Sequence, residues 1–186
     1  KKAVGVGSGT DAIYLSLLSL GIGPGDEVIT APNSFIATAS VIARTGACIV
    51  FCDVSDDMNI DPSLIESVIT KNTKAILPVH LTGRVCDMDK LQSIADKHNL
   101  YIVEDAAQAL GAIYKGRKAG SFGISAGFSL HPLKNLHVHG DGGLLVTDDR
   151  IIYDKVLKLR NHGLRDRNNL EVWGYNSRLD GIQAAI

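Results

Sequence analysis

Three sets of side chains in this sequence have the types and spacing to do chemistry together. The first is Lys134, the one lysine in the run Phe128-Ser129-Leu130-His131-Pro132-Leu133-Lys134-Asn135-Leu136-His137-Val138-His139-Gly140-Asp141-Gly142-Gly143. An amine there suits a nucleophile that forms a Schiff base with a carbonyl compound; a solvated surface lysine is the alternative. The second is Gly5-Val6-Gly7-Ser8-Gly9-Thr10, which feeds a helix-forming stretch, Asp11 to Leu20, closed by Gly21. Free backbone N–H groups and the helix dipole both favour an anion at such a start, and a phosphate is the obvious guest. The glycine spacing departs from a dinucleotide fingerprint, and glycines that merely turn the chain are the alternative. The third is Asp105, which ends the apolar run Tyr101-Ile102-Val103-Glu104-Asp105 and precedes small residues that leave room for something flat. A helix N-cap is a second use for that carboxylate.

The whole chain bounds what these groups can serve. Its 186 residues fit one sizeable domain with a real core. A hydrophobic content of 45% and a formal net charge of -1 point to a globular protein and away from nucleic acid or an anionic membrane surface. No apolar run reaches the length of a membrane span, and no signal peptide opens the chain. Cys48, Cys52 and Cys86 form an odd set without a pairing motif, which reads as free thiols in a reducing, cytoplasmic compartment. A strand from 47 to 54 would put Cys48 and Cys52 on one face as buried small hydrophobes. The abrupt ends read as an internal piece of a longer protein.

Elements that position the three sets follow from pattern. Glu27-Val28-Ile29-Thr30-Ala31 reads as a strand, then Asn33-Ser34-Phe35 leads into a helix from Ile36 to Thr45 with Gly46 as its stop. Phe35 therefore stands at a strand-to-helix junction, facing either a site or the core. Further strands are expected at 48–54, 74–80, 101–105, 124–129 and 144–147. Helices are expected after Asp61-Pro62-Ser63, from Lys90 to His98 and over 148–159. The stretch 115–118 reads as a solvated hairpin tip, and 160–178 as a long loop of the kind that is often functional. Alternating strands and helices with near-continuous apolar strands indicate an α/β sheet with helices on both faces. Ligands of such sheets gather at the carboxyl ends of the strands. A phosphate cradle, an aromatic side chain, a buried carboxylate and a lysine at those ends are the set that pyridoxal phosphate needs.

Several motifs in order extend this reading. Ser8-Gly9-Thr10, Asn33-Ser34-Phe35-Ile36-Ala37-Thr38, His80-Leu81-Thr82-Gly83, Glu104-Asp105-Ala106-Ala107-Gln108, Phe128 to Gly143, and Gly174-Tyr175-Asn176-Ser177-Arg178-Leu179-Asp180 resemble the catalytic core of the DegT/StrS-type sugar aminotransferases. These are fold-type I pyridoxal phosphate enzymes. The resemblance covers essentially the whole chain. It implies the large, cofactor-binding domain of such an enzyme over residues 1–186, truncated at both ends and lacking the C-terminal small domain. The implied architecture is a three-layer α/β sandwich around a mostly parallel mixed central sheet. Lys134 would carry the Schiff base and shuttle the proton. Asp105 would pair with the pyridinium N–H, Gln108 with the ring hydroxyl, and Phe35 would stack on the ring. Gly9, Thr10 and Ser129 would hold the phosphate. Asn176 would reach the phosphate of a neighbouring subunit in a homodimer. The implied reaction moves an amino group from an amino acid, typically glutamate, to a keto group of a nucleotide-linked sugar. No metal is implied.

The departures lie at the substrate end. The family commonly has an aromatic residue where Thr82 stands, an acidic residue near Ile124, Phe or Tyr at Leu130, and an aromatic near His139. Rival readings are a sugar dehydratase of the same family, where a histidine replaces the lysine; a lyase or desulfurase of the same fold type; a nucleotide- or phosphate-binding module using only the Gly5–Thr10 turn; and a regulatory protein that keeps the fold without turnover. Lys134 counts against the dehydratase. His131, His137 and His139 are candidate contacts for a sugar or its phosphate, with solvated loop residues as the alternative; Asp141 receives no role.

Overall fold

Alternation of small apolar side chains along the strands feeds two cores at once. Ala75, Leu77 and Val103 belong to one apolar cluster, while their neighbours Ile76 and Ile102 belong to the other. This period of two is what a sheet covered on both faces requires. The computed structural model describes residues 1–186. In chain order the elements are β1 (Lys2–Val6), α1 (Gly9–Ser19), β2 (Glu27–Thr30), α2 (Ala37–Thr45), β3 (Cys48–Phe51), α3 (Pro62–Val68) and β4 (Thr73–Leu77). A 3-10 turn (Leu81–Gly83) precedes α4 (Met88–His98), β5 (Tyr101–Asp105), β6 (Ile113–Tyr114), β7 (Arg117–Lys118), β8 (Ser125–Ser129) and β9 (Gly143–Thr147). The chain ends with α5 (Arg150–Leu159), β10 (Leu164–Asp166), β11 (Asn169–Leu170) and α6 (Gly181–Ala185).

Seven strands form one sheet in the order β1-β9-β8-β5-β4-β2-β3. The pairs from β8 through β5, β4 and β2 to β3 are parallel, and β9 runs against both β8 and β1. The sheet is therefore mixed but mostly parallel. Helices α1, α2 and α5 supply Leu15, Ile42 and Val156 to one core; α3 and α4 supply Ile65 and Leu91 to the other. The result is the three-layer α/β sandwich expected from the sequence. No helix is long and apolar enough to cross a membrane.

One element had no signal in the sequence, and three expectations change. The opening residues are a strand, because β1 pairs antiparallel with β9, from Lys2 opposite Thr147 to Val6 opposite Gly143; Gly5 within it and the glycines that follow hid it. Strand β3 stops at Phe51, so the alternation does not carry to Cys52, and Cys48 is exposed while Cys52 and Cys86 are buried. No helix starts at Asp105; its Oδ1 accepts the N–H of Ala107 in a tight turn instead. The expected loop 160–178 contains the hairpin β10–β11 and is pinned to the body of the fold at Tyr175 and Ser177.

Candidate active site

The carboxyl ends of β5 and β8 and the N-terminus of α1 meet around a cavity of about 420 Å³. Its lining includes Gly9, Thr10, Phe35, Asp105, Gln108, Ser129 and Lys134. Seven of the eight side chains singled out in the sequence are thus brought together, at the strand ends where α/β sheets bind ligands. The volume lies within the range of about 300–1,000 Å³ usual for small-molecule sites. A larger cavity, about 560 Å³, opens among Arg150, Lys158, Arg160, Arg165 and Arg178. Its one carboxylate, Asp154, is paired with Arg150, and no glycine-lined helix start opens into it; the candidate site is the smaller one.

Helix α1 opens the site. Ser8 is its N-cap, extended in backbone, with Oγ accepting the N–H of Asp11 at 3.0 Å. The N–H groups of Gly9 and Thr10 then lie in the first turn, where no intrahelical acceptor exists. Close approach fixes the residue type at Gly9: a Cβ there would stand 2.7 Å from Cβ and 2.9 Å from Cα of Ser129. The same contact brings the Ser129 hydroxyl beside the helix start. Gly143 is equally constrained, since its Cβ would meet the Ser8 carbonyl oxygen at 2.2 Å. That gives one glycine of the Gly-Asp-Gly-Gly tail a reason.

Asp105 is 5% exposed. Thr38 Oγ1 donates to its Oδ2 at 2.8 Å, and the N–H of Ala107 donates to Oδ1 at 3.1 Å. Neither donor carries a charge. Burial pushes the Asp105 carboxyl above its usual range, against the pull of these two bonds and of nearby His80 and Lys134. A buried carboxylate in this state favours a cationic N–H partner. Gln108 is half-buried, and its Oε1 accepts the N–H of Thr82 at 3.0 Å. Lys134 follows a tight turn in which its N–H donates to the carbonyl of His131 at 2.8 Å. Phe35 lines the cavity yet is 72% exposed, so it is a wall of the site and not a core residue.

Asn176 lies outside the cavity, exposed, in a backbone bridge with Asn161. Its neighbours anchor it firmly. Ser177 Oγ accepts the N–H of Gly7 at 3.1 Å and donates to Asp11 Oδ2 at 2.7 Å. The hydroxyls of Tyr175 and Tyr14 are 2.9 Å apart. The segment that carries Asn176 is therefore tied to the helix that builds the cradle.

Sequence reasoning assigned no role to Thr38, Ser8 or Asp141, and placed His131 only as a candidate sugar contact; all four line the cavity. Thr38 could have been found from its place in the run after Phe35, in the first turn of α2. His131 and Asp141 flank Lys134 in sequence, but nothing in their types separated them from solvated loop residues.

Comparison with known proteins agrees with this geometry. The profile of the DegT/DnrJ/EryC1/StrS aminotransferase family matches residues 1–186. A Streptomyces venezuelae protein named dTDP-3-amino-3,4,6-trideoxy-alpha-D-glucose transaminase is 50% identical over 185 residues, which is 99% of this chain and 49% of that protein. The crystal structure of S. venezuelae DesV in complex with a ketimine intermediate superposes with a TM-score of 0.97 at 50% identity, over 100% of this chain and 50% of that one. The pyridoxal phosphate form of Spr1654 from Streptococcus pneumoniae, described as a putative sugar aminotransferase, gives a TM-score of 0.92 at 32% identity over 99% of this chain and 53% of that one. The chain spans about half the length of the curated relatives that it matches. It belongs to the DegT/DnrJ/EryC1/StrS aminotransferase family.

Proposed function

We propose that this member of the aminotransferase family is the cofactor-binding large domain of an enzyme that uses pyridoxal phosphate to move an amino group from an amino acid, glutamate by preference, to a keto group of a nucleotide-linked sugar. The observation that carries the reading is the joint placement of Lys134, Asp105 and the Gly9–Ser129 cradle around one cavity. The residues fit the cofactor. The cradle leaves backbone N–H groups and a hydroxyl for a phosphate, and Asp105 is a buried carboxylate without a charged partner. When bound, pyridoxal phosphate supplies an aldehyde for an amine and a protonated ring that takes up electrons.

The chain's own residues do the rest. Asp105 Oδ atoms hold the proton on the ring nitrogen, and Thr38 and Ala107 hold Asp105. Gln108 orients the ring through its hydroxyl, and Phe35 covers one face of it. Gly9, Thr10 and Ser129 bind the phosphate and fix the register of the ring against Lys134. Lys134 would hold the cofactor through its Nζ and would move a proton at the substrate carbon. Overall, the donor's amino carbon is oxidised to a ketone and the sugar's keto carbon is reduced to an amine, with no further reactant. Asn176 serves the cradle of a second copy in a homodimer, and the enzyme works in the cytoplasm.

The test uses the full-length protein. Pyridoxal phosphate should produce an absorbance band near the visible edge that borohydride fixes as an adduct on Lys134. Glutamate should bleach that band, and a keto-sugar nucleotide should restore it. Absence of the band, or a band that survives in Lys134→Ala, would overturn the reading. A band that no amino acid bleaches would point to lyase chemistry instead.

A further inference from the structure

Glu104 is the most thoroughly buried charge in the fold, and the reaction does not use it. It is 0% exposed, and so is His80. Four N–H groups converge on the Glu104 carboxylate. The N–H of Gly120 and His80 Nε2 meet Oε2 at 2.7 and 3.0 Å. Those of Phe122 and Gly123 meet Oε1 at 2.8 and 2.7 Å. The other ring nitrogen of His80, Nδ1, accepts the N–H of Cys86 at 3.3 Å. An Nδ1 that accepts leaves the proton on Nε2, which donates to Glu104. This bond fixes the start of the turn Leu81–Gly83.

That turn is under strain. Thr82 has φ 55° and ψ 21°, a left-handed conformation that is costly for a β-branched residue and persists only where the surroundings enforce it. What the strained residue does is aim its N–H at Gln108 Oε1, 3.0 Å away. A side-chain amide whose oxygen is held in this way presents its NH₂ end elsewhere, and Gln108 lines the cavity.

We infer that the Glu104–His80 pair is a positioning relay: through the strained turn at Thr82 it sets the orientation in which Gln108 meets the ring of the cofactor. The inference rests on the cofactor reading above and adds residues that do not touch the cofactor. Glu104 and His80 are positioning residues.

Two substitutions of His80 separate the relay from general packing. His80→Gln places an amide N–H where Nε2 stood and keeps the bond to Glu104. His80→Asn places its amide near Nδ1, keeps the Cys86 contact and abandons Glu104. In the full-length apo-protein, hydrogen exchange at the Thr82 amide should quicken in His80→Asn and stay close to wild type in His80→Gln. In the loaded protein, His80→Asn should weaken pyridoxal phosphate about tenfold, the equivalent of one lost hydrogen bond, and shift the pH midpoint of its absorbance band; His80→Gln should restore both. In a Gln108→Ala background, His80→Asn should add nothing to either. An equal added effect in that background, or equal behaviour of the two His80 variants at the Thr82 amide, would overturn the relay. The apo-protein measurement decides the relay even if no absorbance band forms, an outcome that would count against the cofactor reading alone.

Discussion

Replacing Asp105 by Asn separates what this carboxylate costs the fold from what it does for the site. An Asn side chain matches the local bonding. Its oxygen can stay where Oδ1 accepts the N–H of Ala107, and its NH₂ can donate to Thr38 Oγ1, a hydroxyl able to accept as well as donate. No buried group is stranded, and the buried charge is removed. Because burial raises the folded-state pKa of Asp105, the folded protein holds its proton more tightly than the unfolded chain. Stability of the wild-type apo-protein therefore falls as pH rises from the ordinary carboxylate range through the raised value, and Asp105→Asn escapes that fall. At neutral pH the variant should be at least as stable as wild type in urea unfolding without cofactor. Function should move the other way. Removing one member of a buried charge pair costs about 3–5 kcal/mol, which is a loss of about 10²- to 10⁴-fold in turnover or cofactor affinity at about 1.4 kcal/mol per decade. Parallel urea titrations of apo-protein between acidic and neutral pH, with pyridoxal phosphate titrations of both proteins, test the two halves separately. A variant destabilised by more than about 1 kcal/mol would refute the bonding argument. A variant that binds cofactor and turns over like wild type would refute the role of the charge.

Three further substitutions probe the frame. Gly9→Ala should lose about 1–3 kcal/mol of stability by overpacking against Ser129, and phosphate-bearing ligands should bind more weakly, as read by thermal unfolding with and without pyridoxal phosphate. Glu104→Gln sets an NH₂ among four N–H donors. Hydrogen bonds from His80 and the backbone hold the Glu104 carboxyl below its usual range despite burial, so the wild-type advantage should be full above the ordinary glutamate range. It should vanish as pH falls through the lowered value, and a difference that grows on acidification would contradict the bonding. Ser177→Ala strips the Gly7 N–H of its acceptor and frees Asp11. A cost of about 1 kcal/mol follows for the loss of these half-buried bonds, and an unchanged unfolding midpoint would mean that this anchor is slack.

The parts of this fold that were legible in the sequence are those in which a local signal and the tertiary outcome agree. Tyr101 to Asp105 is an apolar run bounded by polar residues, and it is a strand; Asp61-Pro62 starts a helix, and Asp61 caps it. What escaped was set by partners distant in sequence. Strand β1 exists because β9 lies beside it, and no residue from Lys2 to Val6 announces that partner. The site shows the same division. Lys134, Asp105 and Gly9 were legible because their chemistry is rare at such positions, whereas Thr38 is an ordinary helix residue until Asp105 is folded against it. Glu104 is the sharpest case. Beside Asp105 in sequence it reads as one of two similar acids ending a strand, yet alternation sends the two side chains to opposite faces. One meets uncharged donors and an open cavity and is pushed toward its neutral form; the other meets four N–H groups and is held ionised. Two adjacent carboxylates thus acquire opposite protonation tendencies from the faces they occupy, which leaves one fitted to a cationic ligand and the other to holding the loops around it.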